Sequence, residues 1–149
     1  MPDAATPVDP NCRFCAIAAG GEDGHVVFED EVSLAFLDHR PLFPGHSLLI
    51  PRGHHETIWD LPDDLLAPLF GNARLLSSAI RNAMNAQGAF IALNNVVSQS
   101  IPHCHVHVVP RNRKDGLRGF FWPRTKYDSE AHMRETADAV RAAVGRLSD

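Results

Sequence analysis

The strongest constraint on this chain is a run in which histidines alternate with small or apolar residues: His103-Cys104-His105-Val106-His107-Val108-Val109. Side chains two positions apart share one face of a β-strand, so the run predicts a strand over His103–Val109. All three imidazoles then line one face, and the other face is apolar. Burying imidazole nitrogens without partners is costly. The alternatives are therefore an exposed edge strand, a metal site or a phosphoryl-transfer site.

Short β-branched runs lie on both sides of one long helical pattern. Strands are predicted over His25–Glu29, Val32–Asp38, Ser47–Ile50, Ala89–Leu93 and His103–Val109, and helices over Cys12–Ala19, from Asp60 to about Gly88, and over Glu130–Leu147. Asp60 is the expected N-cap of the long helix. Two blocks of strands without alternating βα units indicate an α+β fold. We expect a five-stranded, mostly antiparallel sheet with one long central helix and a C-terminal helix.

Length and charge limit the domain organisation and the partners. The 149 residues suit a flexible leader over 1–11 and a single domain over 12–149, with a core over 12–111 and a C-terminal loop and helix over 112–149. A formal net charge of −4 gives no reason to expect duplex nucleic acid or a membrane as a partner. Neither a signal-peptide pattern nor an apolar run of spanning length is present, so we expect a cytoplasmic protein.

Cys12 and Cys15 form a Cys-x2-Cys pair. In a cytosolic chain this spacing indicates metal binding or redox chemistry. The pair lacks the βαβ context of a thioredoxin-like redox motif. Because histidines are available elsewhere, a site with two cysteines and two histidines around zinc is the favoured interpretation. The alternative is two free cysteines near an exposed histidine.

The loop before the histidine run is rich in amides and hydroxyls, Asn94-Asn95-Val-Val-Ser98-Gln99-Ser100. Such groups hold phosphate oxygens and ribose hydroxyls through directional hydrogen bonds. An ordinary Asn/Ser turn is the alternative. The position of the loop, directly before three aligned imidazoles, favours phosphate chemistry on the histidine face.

These motifs resemble the histidine triad (HIT) superfamily, whose signature is His-x-His-x-His followed by apolar residues. Asp38 followed by Gly45-His46-Ser-Leu-Leu-Ile-Pro51 is similar to the upstream block of that family, and Ser98-Gln-Ser100-Ile-Pro-His103 to its Gly-Gln-Ser-Val-x-His run. The similarity covers residues 12–111. It implies a HIT-like fold and a homodimer in which two sheets join into ten strands. It also suggests a zinc-bearing, bacterial-type protein similar to the histidine triad nucleotide-binding (Hint) branch.

The resemblance implies a role for each matching residue. His105 is expected to attack the α-phosphorus, His107 to hydrogen-bond the phosphoryl oxygens, and His103 to orient the site. Asp38 is expected to accept from the ribose hydroxyls. The implied catalytic residues are His105, His107, His103 and Ser100, and the implied substrate-binding residues are Phe14, Asp38, His39, Asn95, Gln99, Ser100, His105 and His107. Structural zinc is expected on Cys12, Cys15, His54 and His103, with His46 and His55 as substitutes for His54.

We therefore expect a hydrolase that cleaves a purine nucleotide at its α-phosphate through a covalent nucleotidyl-histidine. The substrate classes implied are phosphoramidates, aminoacyl-adenylates and dinucleoside polyphosphates. A nucleotidyltransferase or phosphorylase is one alternative, and a zinc-stabilised nucleotide-binding protein with little turnover is another. The basic, aromatic segment Lys114–Arg124 could stack on a base or place cations near phosphates, or it could be a packed loop or a dimer contact.

Overall fold

The computed structural model describes residues 6–22, 24–118 and 124–148, and the chain divides after Asp115 into two compact units. The elements in chain order are α1 (Arg13–Ala18), β1 (Val26–Glu29), β2 (Ser33–Leu37), β3 (Ser47–Pro51), a 3₁₀ turn (Ile58–Asp60), α2 (Asp63–Ala83), β4 (Gly88–Ala92), β5 (Val106–Arg111) and α3 (Glu130–Leu147). All of them except α3 belong to the first unit. Within the described ranges, no helix is both long and apolar enough to cross a membrane.

The five strands form one sheet in the order β1-β2-β3-β5-β4, and every neighbouring pair is antiparallel. Strand β5, which carries His107, lies inside the sheet between β3 and β4. The predicted α+β fold with a five-stranded antiparallel sheet and two long helices is confirmed. An interior position also rules out the exposed edge strand as the explanation for the histidines.

The sheet has a different helix on each face. Helix α2 packs its apolar positions against Ala35, Leu49, Val106 and Val108. Helix α1 packs against the alternate positions of β2 and β3, which are Leu34, Phe36, Leu48 and Ile50. Because side chains alternate along a strand, His107 faces the α1 side. This arrangement brings α1 to the histidines.

The strand predicted over His103–Val109 is wrong at its start, because the β5 ladder begins at Val106. The partner strand β3 ends at Pro51, which has no backbone N–H to continue the ladder. The N–H of Cys104 donates instead to the carbonyl of His55 at 2.6 Å. The facing of the side chains still alternates through this segment, since Cys104 belongs to the core on the α2 side and His105 lines the cavity beside α1.

Helix α2 presents Leu69, Ala73, Leu76 and Ile80 to the sheet, a spacing of four, three and four residues that places them on one face. The prediction of Asp60 as its N-cap is wrong. The carboxylate of Asp60 accepts from the N–H and hydroxyl of Thr57 and so caps the 3₁₀ turn before the helix. The helix also ends before Gly88. Asn85 adopts a left-handed φ of 51°, and the N–H of Ala86 bonds back to the carbonyl of Arg81.

A long-range hydrogen bond holds the described part of the leader, and a side-chain cap begins the last helix. The carbonyl of Pro7 accepts from the N–H of His54 at 2.7 Å, so this end of the leader lies against the segment after β3. Helix α3 has the predicted bounds, and the side chain of its N-cap, Ser129, accepts from the N–H of His132.

Candidate active site and metal-ligand cluster

A cavity of about 360 Å³ opens between α1 and the adjoining strands, within the first unit. That volume falls in the range of about 300–1,000 Å³ that is usual for small-molecule sites. The walls include Phe14, Ile17, Phe36 and Leu48, so much of the lining is apolar. Six residues predicted to act on a nucleotide line the cavity: Phe14, Asp38, His39, Ser100, His105 and His107.

The hydrogen bonds of His105 define its tautomer. Its Nδ1 lies 2.7 Å from the carbonyl oxygen of His103. A carbonyl can only accept, so Nδ1 carries the proton and Nε2 holds a free lone pair. No buried side-chain nitrogen or oxygen among the described residues lacks a partner. Nε2 therefore has access to the cavity that His105 lines. The arrangement presents an oriented imidazole nucleophile.

A chain of hydrogen bonds assigns the tautomer of His107 in the same way. The N–H of Leu42 donates to Nδ1 of His46 at 3.0 Å, so the proton of His46 resides on Nε2. That Nε2 lies 2.9 Å from Nδ1 of His107 and donates to it. His107 consequently carries its own proton on Nε2. One imidazole in the cavity thus offers a lone pair, and its neighbour offers an N–H.

The three histidines of the triad are neutral near pH 7. Burial lowers the pKa of His107 to about 4, with further lowering by His105 and His46 and an opposing effect of Asp38. Burial likewise lowers the pKa of His103 to about 4 and also lowers the pKa of His105. A neutral imidazole is the form that can attack phosphorus without first losing a proton.

Behind the cavity, four predicted metal ligands converge. The donor atoms of Cys12, Cys15, His54 and His103 all lie within 4.8 Å of one another. Nδ1 of His103 lies 3.4 Å from the sulfur of Cys12 and 3.6 Å from that of Cys15. Nδ1 of His54 lies 3.4 Å from the sulfur of Cys15. A tetrahedral zinc ion with bonds of about 2.3 Å to sulfur and about 2.0 Å to nitrogen would hold such atoms about 3.5 Å apart.

The outer contacts of this cluster also suit a metal. Nε2 of His103 donates to the carbonyl of Pro51 at 2.9 Å, so its Nδ1 faces the two sulfurs as a lone pair. The sulfur of Cys12 accepts from the N–H of Cys15 at 3.4 Å. Nε2 of His54 lies 3.9 Å from a carboxylate oxygen of Asp9. These residues therefore fit a structural zinc site with four protein ligands.

Comparison with known proteins agrees with this geometry. A model of the HIT domain matches residues 20–114. The chain belongs to the HIT family. It is 37% identical to Protein hit of Bacillus subtilis over 138 residues, covering 91% of this chain and 93% of that one. It is 30% identical to adenosine 5′-monophosphoramidase HNT1 of Saccharomyces cerevisiae over 126 residues, 84% of this chain and 78% of that one.

Adenylylsulfatase HINT3 of Arabidopsis thaliana is 35% identical to this chain over 109 residues, which cover 72% of this chain and 55% of that protein. This HIT chain thus spans about half of the plant relative. A HIT-family crystal structure from Bacillus subtilis superposes with a TM-score of 0.79 at 31% identity, covering 89% and 96% of the two chains. A Zn-bound histidine triad protein of Mycobacterium smegmatis gives a TM-score of 0.69 at 34% identity, covering 93% and 96%.

Two predicted ligand-binding residues of this HIT chain make other contacts. The side-chain oxygen of Asn95 accepts from the N–H of Ile58 at 2.8 Å. Gln99 accepts from the N–H of Val96 and donates to the carbonyl of Glu56 at 2.6 Å. Both side chains tie the loop over 94–100 to the segment after β3, and their contact with a ligand stays a prediction.

The role of His46 was missed from the sequence, where it stood only as a substitute zinc ligand. Its ring bonds to His107 and lies 3.6 Å from the carboxylate of Asp38, away from the cysteines. One signal was available in the sequence. His46 lies two residues before Leu48 and four before Ile50, so the three side chains are expected on one face, and Leu48 is the residue paired with His107. Of the aromatic segment, Phe120, Phe121 and Trp122 lie outside the described residues.

Proposed function

We propose that this HIT chain is a nucleotidyl hydrolase that cleaves a nucleotide at its α-phosphate through a covalent intermediate on His105. The observation that carries the proposal is the 2.7 Å bond between Nδ1 of His105 and the carbonyl of His103, which leaves Nε2 free to attack. The substrate classes are phosphoramidates, aminoacyl-adenylates and dinucleoside polyphosphates. Relatives named as an adenylylsulfatase and as an adenosine 5′-monophosphoramidase support this choice.

The reaction has two displacements at phosphorus. In the first, the lone pair on Nε2 of His105 forms a bond to the α-phosphorus, and the bond from phosphorus to the leaving nitrogen or oxygen breaks. The leaving group keeps the electron pair of that bond, and a leaving amine takes a proton from solvent. The N–H on Nε2 of His107 hydrogen-bonds the phosphoryl group and stabilises the charge that develops there. In the second, the oxygen of a water molecule forms a bond to phosphorus and the bond from phosphorus to Nε2 breaks. The water gives a proton to solvent, the nucleoside monophosphate leaves, and the neutral imidazole is restored. Alignment of the reacting groups is the main contribution of the protein.

The remaining cavity residues are assigned to binding. Asp38 accepts from the ribose hydroxyls, while the N–H of Arg40, which donates to its carboxylate at 2.9 Å, keeps the carboxylate in place. Ser100 donates to a phosphate oxygen, and Phe14 packs on the nucleoside. The ring of Phe14 lies 5.2 Å from that of His105, edge to face, so it also restricts the nucleophile. His39 is assigned to the nucleotide because it lines the same cavity.

The intermediate is the direct test. Rapid mixing with an adenosine 5′-phosphoramidate of a slow amine leaving group, followed by an alkaline denaturing quench, should give an intact mass increased by one adenylyl group. His105→Ala should abolish the adduct, and His132→Ala, a change of an exposed histidine on α3, should leave it unchanged. Adenosine phosphoramidate binding without any adduct would support a binding protein instead. Products that appear only with added phosphate would indicate a phosphorylase.

We also propose structural zinc on Cys12, Cys15, His54 and His103. A closed set of four protein ligands leaves no open position for substrate, so the ion would supply stability and hold α1 against the segment that carries His103. The Zn-bound relative supports this assignment. Metal analysis of protein purified without added zinc should give about one equivalent. Cys15→Ser should lose it, and Cys104→Ala, a matched change of a cysteine outside the cluster, should retain it. Less than about a tenth of an equivalent in wild type would exclude structural zinc.

We propose a homodimer that joins two sheets through β4. This edge strand, Gly-Ala-Phe-Ile-Ala, has no charged residue or proline, which are the devices that usually prevent edge pairing. The opposite edge, β1, has both Glu29 and a register shift after Val26. Light scattering should find a dimer that Ile91→Lys dissociates and that Val27→Lys leaves intact. The reverse pattern would place the interface on β1.

Three unpaired cysteines also suit a reducing compartment, so a cytoplasmic location stays our prediction.

A further inference from the structure

The lining of the cavity includes a charged residue that the proposed reaction does not use. Arg13 lines the cavity, and so does Ile17, four residues later on the same face of α1. Ile17 contacts the turn at Gly24, where a Cβ atom would lie 2.9 Å from Ile17 and 3.4 Å from Phe36. The ring of Phe14, the neighbour of Arg13 in α1, lies 5.2 Å from that of Phe36 and 5.2 Å from that of His105, so this apolar wall extends from the triad along α1. A nucleotide with its α-phosphorus at His105 would therefore bring its base towards Arg13.

Arg13 is held in position and still has donors to offer. Its Nε donates to a carboxylate oxygen of Glu22 at 2.9 Å, and its side chain is 52% exposed. Within the described residues this is the contact that orients the guanidinium, and it leaves the N–H groups of Nη1 and Nη2 for a ligand. Because Glu22 offsets its charge, Arg13 is better suited to a neutral acceptor than to a second phosphate group.

We propose that Arg13 gives the cavity a preference for 6-oxopurines, which present adjacent O6 and N7 acceptors, over adenine. The inference rests on the proposed binding of a nucleotide with its phosphate at His105. The planar guanidinium matches O6 and N7 of guanine with two parallel hydrogen bonds, whereas adenine replaces O6 with an amino group that is itself a donor. The apolar walls formed by Phe14, Ile17 and Phe36 pack on the ring faces and do not distinguish the two purines.

The test compares guanosine, inosine and adenosine 5′-phosphoramidates that carry the same amine. We expect kcat/KM to be about five- to tenfold higher for the guanosine than for the adenosine substrate. This ratio is in the lower part of the range that a bidentate arginine–guanine pair usually gives, because the side chain of Arg13 is half-exposed. Inosine, which has O6 and N7 but no 2-amino group, should follow guanosine. Arg13→Leu should bring the guanosine-to-adenosine ratio to about one, and Arg13→Lys should retain only part of it. Arg74→Leu, on the exposed side of α2, is the matched control.

Binding of GMP, IMP and AMP, measured by calorimetry, separates this inference from the proposed reaction. If no phosphoramidate is cleaved but GMP and IMP still bind more tightly than AMP in a way that Arg13→Leu removes, the hydrolase proposal fails and the base preference stands. If all three substrates are cleaved with ratios within about twofold, or if Arg13→Leu leaves the ratio unchanged, the base preference is overturned and the hydrolase stands.

Discussion

His46 makes two hydrogen bonds that a pair of substitutions can separate. Its Nδ1 accepts from the N–H of Leu42, and its Nε2 donates to His107. The amide of asparagine occupies about the position of Nδ1, and the amide of glutamine about that of Nε2. His46→Asn can therefore keep the bond to Leu42 and lose the bond to His107, whereas His46→Gln does the opposite. Of the two, the bond to His107 is the one that orients the N–H assigned to the phosphoryl group in the proposed reaction.

The two variants should lose similar stability but very different activity. Each leaves one polar group without its partner, which costs about 1–3 kcal/mol of unfolding free energy. In His46→Asn the ring of His107 is also free to turn, and misplacement of a catalytic group by about 1 Å can lower the rate about 100-fold. We expect kcat of His46→Asn to fall about 10- to 100-fold, and that of His46→Gln to fall less than about fivefold.

The assay is steady-state hydrolysis of an adenosine 5′-phosphoramidate, with urea unfolding of the same preparations. KM should change little in either variant, because neither removes a group assigned to ribose or base. His132→Asn, on the exposed surface of α3, controls for a general effect of the substitution. Equal losses of kcat in the two variants, or a larger loss in His46→Gln, would refute the assigned tautomers and the orienting role of His46.

Three further outcomes follow from the same contacts. The kcat/KM profile should be flat above pH 6.5 and fall on the acidic side, because burial lowers the pKa of His105 and protonation removes its lone pair; a fall that begins above pH 7 would contradict this. The pKa of His107 is about 4 in the folded chain and about 6.5 when unfolded, so its contribution to stability is present above pH 6.5 and is lost as the pH falls towards 4. Urea titrations should show a loss of up to about 3 kcal/mol from this residue, and equal stability at pH 7.5 and pH 5 would exclude the effect. Leu49→Ala, at a fully buried position of β3 that faces α2, should cost about 2–5 kcal/mol in the same assay, and a loss below about 1 kcal/mol would mean that the site collapses around the smaller side chain.

Much of the site could be predicted because residue types and spacing specify it. The alternation around His105 placed Cys104, Val106 and Val108 in the core on the α2 side, as the structure has them. The Cys-x2-Cys spacing indicated a metal site, and the resemblance to the HIT superfamily implied His54 and His103 as the two further residues whose donor atoms converge. The motif residues of a family predict the site residues directly, and the packing of the sheet adds little to that prediction.

The features that were not predicted depend on backbone N–H and C=O groups, whose positions cannot be inferred from residue types. The start of β5 was wrong because Pro51 ends the ladder and the amide of Cys104 bonds elsewhere. The role of His46 depends on the backbone amide of Leu42, four residues earlier. The side chain of Gln99 bonds to its own loop, although the same sequence would also allow it to face a ligand. In each case the partner is a main-chain N–H or C=O whose position only the fold determines.

His103 joins the two predicted sites through different parts of one residue. Its ring contributes Nδ1 to the cysteine cluster, while its carbonyl accepts from Nδ1 of His105 and so holds that ring in the tautomer that the proposed reaction requires. The same ring is fixed on its other side by the carbonyl of Pro51, at the end of β3. Any displacement of the ring must move the adjoining main chain, and the hydrogen bond to His105 moves with it. The metal-ligand cluster and the nucleophile are therefore not independent features. A structural ion at the cluster would stabilise the catalytic geometry even though it has no open position for the substrate.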